Sequence, residues 1–481
     1  MGGDEPFDST HAERELERIN ARPVQVEWAT PAGGRLTLRL PPTVYPPRED
    51  TDLLLSALSR QLVNTSSTWL EIGCGSGVLS WWAAKQGCAV NACDVNPLAV
   101  ACTRALLSDH GMVGNVFEGG PGPSEDGGLS QWGGDRLYDV VVWNMPYLSS
   151  DVLAGGVLGP MEEAALTDTD TNGLLPRFLN LLQGGRLLTR NGVAFLTVSS
   201  RGVSDEAEAI AWSHGLAGRT VATRTFDDGE TLSVLAVWKP YSSASVERVE
   251  LTSSTNDDVM HRGKMEGDAV LAAEQEEGRG RLGRRWETQP GAMMASWLTS
   301  QGRVVSHRTL DQLRVGEGLV RLLRVLSPHR QDAAVLKWPN DLFLRSAEGR
   351  LSKAGGVLFE ATTQGTNTRT VLGIGLNTTV HQNSPWSGVQ DLGIDLDAAS
   401  LHRLLHAMIA SLFEDVPGLA SPVVSLPRLE AAVVDGANQF GQLSYRGLQT
   451  TILGLTEQGA VLVDGVDHAV DDPEAIEWSI V

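Results

Sequence analysis

Thr68-Trp69-Leu70-Glu71-Ile72-Gly73-Cys74-Gly75-Ser76-Gly77-Val78 joins an apolar run of strand type to a glycine-rich turn and then to a helical pattern over 78–86. Glycines in such a turn let the backbone approach a ligand closely, and the following helix offers free N–H groups at its start. Outward from this stretch, 89–94 reads as a second strand that ends on Asp94, 17 residues after Gly77. A carboxylate there can accept both hydroxyl protons of a ribose. A helix follows Pro97, a residue suited to a first helical position. Next, 119–135 reads as a solvated Gly/Pro-rich insertion loop. The runs 138–143 and 193–199 are apolar and of buried-strand type, and 219–226 and 232–238 flank Asp-Asp-Gly as a hairpin would. Strands alternating with helices predict a doubly wound α/β sheet. A glycine-rich string alone is as well explained by an ordinary tight turn; turn, strand end and acidic residue together point to a nucleoside-containing cofactor.

The 481 residues predict about three domains. The 42% hydrophobic and 20% charged fractions suffice for a globular core. No apolar run approaches the ~18 residues of a membrane span. The opening MGGDEPFDST fits neither a signal nor a transit peptide, so the expected location is cytoplasmic. The four cysteines, Cys74, Cys88, Cys93 and Cys102, lack a CxxC pair, and four reduced thiols are expected. A net charge of −21 argues against a sequence-independent grip on nucleic acid. Lysine occurs at only five positions, so the basic groups are mostly arginine.

The motif types change across Pro240-Tyr241-Ser242-Ser243-Ala244-Ser245, a stretch with the composition of a short linker. The two halves show no self-similarity, which makes the chain a fusion of unlike modules. The expected division is 1–240, an α/β block; 246–435, a mixed α/β block; and 436–481, where short strands with Gly turns (TTILGLTEQGAVLV) suggest a small β-barrel.

Asn144-Met145-Pro146-Tyr147 ends the strand 138–143, at the edge where such sheets place their sites. Together with the turn at 71–77, it resembles the class I S-adenosylmethionine methyltransferases that act on planar nitrogens and usually carry (N/D)PPY. Tyr45-Pro46-Pro47-Arg48-Glu49-Asp50-Thr51 looks like the entry motif of the release-factor glutamine methyltransferases, and the resemblance covers about 40–240. It implies a Rossmann-like sheet, with S-adenosylmethionine held by Glu71, Gly73, Gly75, Gly77, Asp94 and Asn144. It also implies that Asn144 and the carbonyl after it accept hydrogen bonds from the target NH₂, that Tyr147 packs on the flat amide, and that positioning is the main catalytic contribution. The acceptor would be the glutamine of a release-factor GGQ motif, and a small zinc-binding activator subunit is an implied partner. Met145 departs from the family proline: the carbonyl survives, the locked φ does not. The alternatives are an adenine-N6 methyltransferase and a degenerate domain that only binds the cofactor. Residues 1–240 hold 17 basic and 29 acidic groups, and neither a phosphate-tracking patch nor a target-recognition domain is evident.

The second half carries five ordered strings: Ser253-Ser254-Thr255-Asn256; Glu274-Gln275 leading to Gly278-Arg279-Gly280-Arg281-Leu282-Gly283-Arg284-Arg285-Trp286; Lys337-Trp338-Pro339-Asn340-Asp341; Lys353-Ala354-Gly355-Gly356; and Gly373-Ile374-Gly375-Leu376-Asn377. Joining a carboxylate to ATP gathers several negative groups, and cations must neutralise them. Two of the five lysines, Lys337 and Lys353, fall inside these strings. In this order, over about 249–481, the strings resemble the biotin–protein ligases. The resemblance implies a class II synthetase-like domain followed by an SH3-like β-barrel. It puts Ser254, Thr255, Gln275, Gly278, Arg279, Arg281, Lys353 and Gly356 at the biotin site. It puts Arg284, Trp286, Lys337, Asn340, Asp341 and Asn377 at the ATP or adenylate site, with Asp341 as a candidate Mg²⁺ contact. A plain core role for Trp286 is the alternative. The implied chemistry makes biotinoyl-5'-AMP from biotin and ATP, then biotinylates a lysine of a biotin carboxyl-carrier protein; the catalytic residues would be Lys353, Arg279, Arg281 and Lys337. Lipoate ligases share that fold, and a non-catalytic biotin sensor is a reading from another class. The block before the ligase is α/β and not a helix-turn-helix, which argues against a DNA-binding repressor domain. No Ala/Val-Met-Lys-Met acceptor string occurs, so the carrier is expected to be a separate protein of a biotin-dependent carboxylase.

Overall fold

The computed structural model describes residues 22–31, 34–60, 66–121, 128–146, 148–149, 167–168, 173–203, 205–286, 289–302, 308–380 and 384–479. The chain forms two compact units, 1–239 with 415–421, and 240–414 with 422–481. Among the described residues, no helix is long and apolar enough to cross a membrane.

The described residues of the first unit open with an antiparallel hairpin, β1 (Val24–Ala29) and β2 (Arg35–Leu40), which no feature singled out in the sequence announces. In β2 the alternation buries Leu36, Leu38 and Leu40 and exposes the residues between them, as a period of two requires. The helix Glu49–Arg60 follows and carries the end of the Tyr45–Thr51 string on its first turn. The main sheet contains β3 (Thr68–Ile72), β4 (Ala89–Asp94), β5 (Gly114–Glu118), β6 (Tyr138–Trp143), β9 (Leu188–Ser199), β10 (Ala217–Thr225) and β11 (Thr231–Trp238). Two short strands, β7 (Leu148–Ser149) and β8 (Thr167–Asp168), pair apart from it.

The strand order is β10-β11-β9-β6-β3-β4-β5. Neighbours from β9 to β5 are parallel, while β11 runs antiparallel to both β9 and β10. The chain winds outward from β3 to β5 and then returns to the other side of β3 with β6. Order therefore reverses between β3 and β6, and a crevice opens at the carboxyl ends of the strands at such a point. The stretch 119–135 departs from a solvated loop. Leu129–Trp132 is a short helix, and Trp132 is fully buried, because Leu129 and Trp132 share one face of the turn. Residues 122–127 of that stretch lie outside the described residues.

The expected linker is part of the second unit's packing. Tyr241 is buried with its ring 5.3 Å from that of His406, and Ser245 donates through N and Oγ to Asp268 Oδ1 at 2.8 and 3.0 Å. Ala244 N donates to Tyr241 O at 2.9 Å and closes a turn within the segment.

The second unit's sheet comprises β12 (Val246–Thr252), β13 (Ala269–Gln275), β14 (Met293–Gln301), β15 (Ala334–Lys337), β16 (Asp341–Arg345), β17 (Leu351–Gln364) and β18 (Asn367–Leu376), in the order β12-β13-β14-β18-β17-β16-β15. Only the β12–β13 pair among these is parallel. The helix Ala398–Phe413, capped by Asp397 on Ser400 N, stacks His402 on Trp297 of β14 at 5.1 Å. Short strands end the chain: β19 (Leu443–Tyr445), β20 (Leu448–Thr450), β21 (Ile452–Leu455), β22 (Val461–Val463) and β23 (Ile476–Trp478) form two small sheets. The helix Leu426–Asn438 runs through the expected 435/436 boundary. One core joins its Val433 and Ala437 to Leu336 and Trp338 on one side and Leu443 and Ile476 on the other.

Candidate active sites

A crevice of about 1300 Å³ lies at the carboxyl ends of β3, β4 and β6. It collects Glu71, Gly73 and Gly75 from the turn, Asp94, and Asn144 with Met145 and Pro146, and it adds the Tyr45–Thr51 string. Asp94 accepts from Gly75 N through Oδ2 (2.9 Å) and from Asn96 N through Oδ1 (2.8 Å), which ties the second strand to the glycine turn. Burial raises its pKa, and these two bonds oppose the rise. Glu71 is buried and accepts from both the backbone N and the Oγ of Ser80. Burial pushes its carboxyl up to about 8. Gly77 does not line the crevice. Its φ is +81°, and an added Cβ would stand 2.9 Å from Thr103 Cα, so its glycine serves the turn and the approach of the next helix.

Asn144 donates through Nδ2 to Asp50 Oδ2 at 3.0 Å. Its Oδ1 is buried and has no hydrogen-bond partner among the described residues. Met145 is 3% exposed, so the residue in place of proline is packed at the crevice wall. Tyr147 lies outside the described residues. The lining has an acidic cast that no motif in the sequence signals: Glu49, Asp50, Asp227, Asp228 and Glu230 stand there with Arg48 and Arg177. Asp228 and Glu230 are bridged by Arg201 at 2.5 and 3.7 Å. The four cysteines are free thiols.

The second unit holds a cavity of about 560 Å³. It is walled by Ser254, Thr255 and Gln275; by Arg279, Arg281, Arg284 and Trp286; by Lys337, Asn340 and Asp341; and by Lys353 and Gly356. Strings separated by up to about a hundred residues thus converge because their strands are neighbours: Lys337 and Asp341 pair across β15–β16, and Asp341 and Gly356 across β16–β17. Gln275 Oε1 accepts from Thr255 N (2.8 Å) and Thr255 Oγ1 (3.1 Å), and Ser296 Oγ donates to Thr255 Oγ1 (2.7 Å). Gly278 is not in the wall. Its carbonyl accepts from Trp286 N at 2.8 Å and closes the arginine loop upon itself. Trp286 lies over Gly375 and Gly356; a Cβ on Gly375 would come within 2.7 Å of its ring.

Three of the cations are arranged against carboxylates. Lys353 Nζ is 2.6 Å from Asp341 Oδ1, Arg284 is 2.5 Å from Glu474, and Arg279 is 2.5 Å from Asp257 and 3.2 Å from Glu360. The bond to Asp257 raises the Arg279 pKa further. Burial lowers that of Arg281. Burial also lowers the pKa of Lys337, against the pull of Asp341. Asn340 donates through Nδ2 to Val357 O at 2.8 Å, so its amide braces the turn between strands. Asn377 is not in the wall either: its N donates to Ala354 O of β17 (2.8 Å) and its Nδ2 to Ser387 O (3.1 Å), so the side chain ties the end of β18 to the loop after it. Among the described residues, no group of three His, Cys, Asp or Glu could hold a metal ion. Trp386, Glu474 and Trp478 line the cavity without having been anticipated; they sit in a loop, in the 3-10 turn Pro473–Ala475 and in the strand Ile476–Trp478, none of which carries a recognised string.

Comparison with known proteins matches residues 246–377 to the Biotin/lipoate A/B protein ligase family and residues 48–175 to the Methyltransferase small domain. Bifunctional ligase/repressor BirA of Escherichia coli is 31% identical over 237 residues, 46% of this chain and 69% of that protein. Methyltransferase HEMK2 of Homo sapiens is 30% identical over 230 residues, 44% of this chain and 97% of that protein. Among solved structures, a biotin protein ligase from Aquifex aeolicus is 23% identical with a TM-score of 0.34, covering 49% of this chain and 96% of that one. The chain is a fusion that belongs, through its N-terminal part, to the methyltransferase family of HEMK2 and, through its C-terminal part, to the biotin/lipoate protein ligase family of BirA.

Proposed function

We propose that the second unit joins biotin to a lysine of a separate biotin carboxyl-carrier protein at the expense of ATP. The observation that carries this is the gathering of Arg279, Arg281, Arg284, Lys337 and Lys353 around one cavity in an otherwise acidic chain. The substrates fit that lining: several anionic oxygens need several cations in a partly buried space, where charge stabilisation is strongest. The biotin carboxylate attacks the α-phosphorus and pyrophosphate leaves; the carrier amine then attacks the acyl carbon and AMP leaves. Lys353 with Arg279 and Arg281 would hold biotin and the acyl phosphate. Lys337 and Arg284 would face the polyphosphate, and Asn340 braces the turn that presents them. Mg²⁺ would enter with the nucleotide, near Asp341. ATP-dependent labelling of a purified carrier domain by the full chain is the test, and a lipoate analogue in place of biotin separates the sister activity.

The first unit, in our reading, transfers a methyl group from S-adenosylmethionine to a planar amide nitrogen, the glutamine of a release-factor GGQ motif. The unpartnered, buried Oδ1 of Asn144 supports this, since such an acceptor is costly unless a donor NH₂ fills it. The cofactor fits the turn at Gly73–Gly75 with Asp94 for the ribose, and supplies an electrophilic methyl when bound. The carboxylates in the lining disfavour the adenine-N6 alternative, because nucleic acid would bring its phosphates against them. Incubation with labelled S-adenosylmethionine and a release factor, with and without the zinc-binding activator, tests it; a GGQ→GGA factor should take no label.

A further inference from the structure

In the ligase cavity Lys337 is held by rings. Its Nζ lies 5.3 Å from the ring centroid of Trp478 and 5.7 Å from that of Phe343. Phe440 stands edge-on to both rings, 5.1 Å from Phe343 and 5.0 Å from Trp478, at interplanar angles of 77° and 73°. Three elements remote in sequence build this box: β16 supplies Phe343, the turn after helix Leu426–Asn438 supplies Phe440, and β23 supplies Trp478. Asp341, its cross-strand neighbour, is committed to Lys353 at 2.6 Å, and Glu474 to Arg284 at 2.5 Å. No ion pair to Lys337 is present among the described residues. A ring face attracts a cation through its quadrupole without neutralising it. An ammonium resting on rings keeps its full charge for an incoming anion, whereas one paired to a carboxylate must first release it.

We propose that Trp478, backed by Phe440, is a positioning residue that holds Lys337 toward the polyphosphate of the nucleotide. The inference rests on the ligase reading above and deepens it: the terminal strand completes the nucleotide half of the site. A leucine at 478 keeps apolar volume in the core but removes the ring face; a phenylalanine keeps both.

The test is steady-state biotinylation of a carrier domain by the full chain, with ATP and biotin varied separately, for wild type, Trp478→Leu and Trp478→Phe. Trp478→Leu should raise KM for ATP about 10-fold, equivalent to about 1.4 kcal/mol, with KM for biotin unchanged, and Trp478→Phe should restore most of the loss. An active wild type whose KM for ATP is the same in Trp478→Leu overturns this inference alone. So does a loss shared equally by both substrates, or no rescue by phenylalanine, because either would mark Trp478 as mere packing. A correctly folded wild type that makes no ATP-dependent product overturns the ligase reading and this inference with it.

Discussion

Asp50 Oδ2 accepts the Nδ2 hydrogen of Asn144 at 3.0 Å, across 94 residues of chain. The same carboxylate receives Thr51 N on Oδ1 at 2.6 Å, so it is itself fixed at the start of its helix. A carboxylate can only accept, so it selects the amide orientation that leaves Asn144 Oδ1 as the buried acceptor. A residue of the Tyr45–Thr51 string thereby orients a residue of the Asn144–Tyr147 string.

Removing that acceptor should let the amide turn. Asp50→Ala is expected to lower kcat for methyl transfer about 10- to 100-fold, the worth of a charge-assisted hydrogen bond. Asn144→Ala should stop transfer. Calorimetric affinity for S-adenosylmethionine should hold in both; a parallel loss of affinity would show that they serve the cofactor instead.

Asp94 is the residue that should matter for the cofactor. Asp94→Ala removes the acceptor of Gly75 N and the candidate ribose contact together. Cofactor affinity should fall at least about 10-fold, in line with losing a charged hydrogen bond. Unchanged affinity would contradict the assignment.

The two units should respond to pH in opposite senses. Glu71, held near 8 when folded and 4.5 when free, binds a proton more tightly in the native state, so its contribution is lost as pH rises from about 4.5 through about 8. His402 and His406 are held by burial at about 3 and about 4, against 6.5, so theirs is lost as pH falls from about 6.5 through about 4 for His406 and on to about 3 for His402. Calorimetry of the full chain should resolve two transitions whose midpoints move oppositely. Glu71→Gln should flatten the first. His406→Gln, which keeps an acceptor for Trp297 Nε1, should lessen the second and leave the part that belongs to His402.

Lys353→Ala or Arg279→Ala should abolish carrier biotinylation, since each removes a cation assigned to biotin and the acyl phosphate; each also leaves carboxylates unpaired, Asp341 in the first and Asp257 with Glu360 in the second. An undiminished rate in either variant would remove that residue from the chemistry. Gly375→Ala tests the wall rather than the charges. Its new methyl would press on Trp286, so activity should fall while the fold persists, and a normal rate would mean the indole yields without consequence.

The strands 68–72, 89–94 and 138–143, the turn between the first two and the ligase strings were legible in the sequence because each is local. Apolar periodicity, a glycine turn or an arginine cluster is written in a few consecutive residues. The hairpin β1–β2, the burial of Trp132 and the packing of the 240–245 segment were not legible, since each depends on which distant surface covers a residue. The same division runs through the sites. Lys353, Asn144 and Asp94 could be singled out as chemical types at telling places. That Gly77 and Gly278 serve turns, that Asn377 braces a loop, and that Asp50 steers Asn144 follow only from neighbours brought close by strand order. Trp478 belongs wholly to the second class: nothing around it in sequence marks it, and only the closure of the terminal strand on the core sets its ring beside Lys337. Local chemistry determined the kinds of group this protein deploys, and tertiary packing, through burial and hydrogen-bond partnering, decided which of them face a ligand and which hold the others in place.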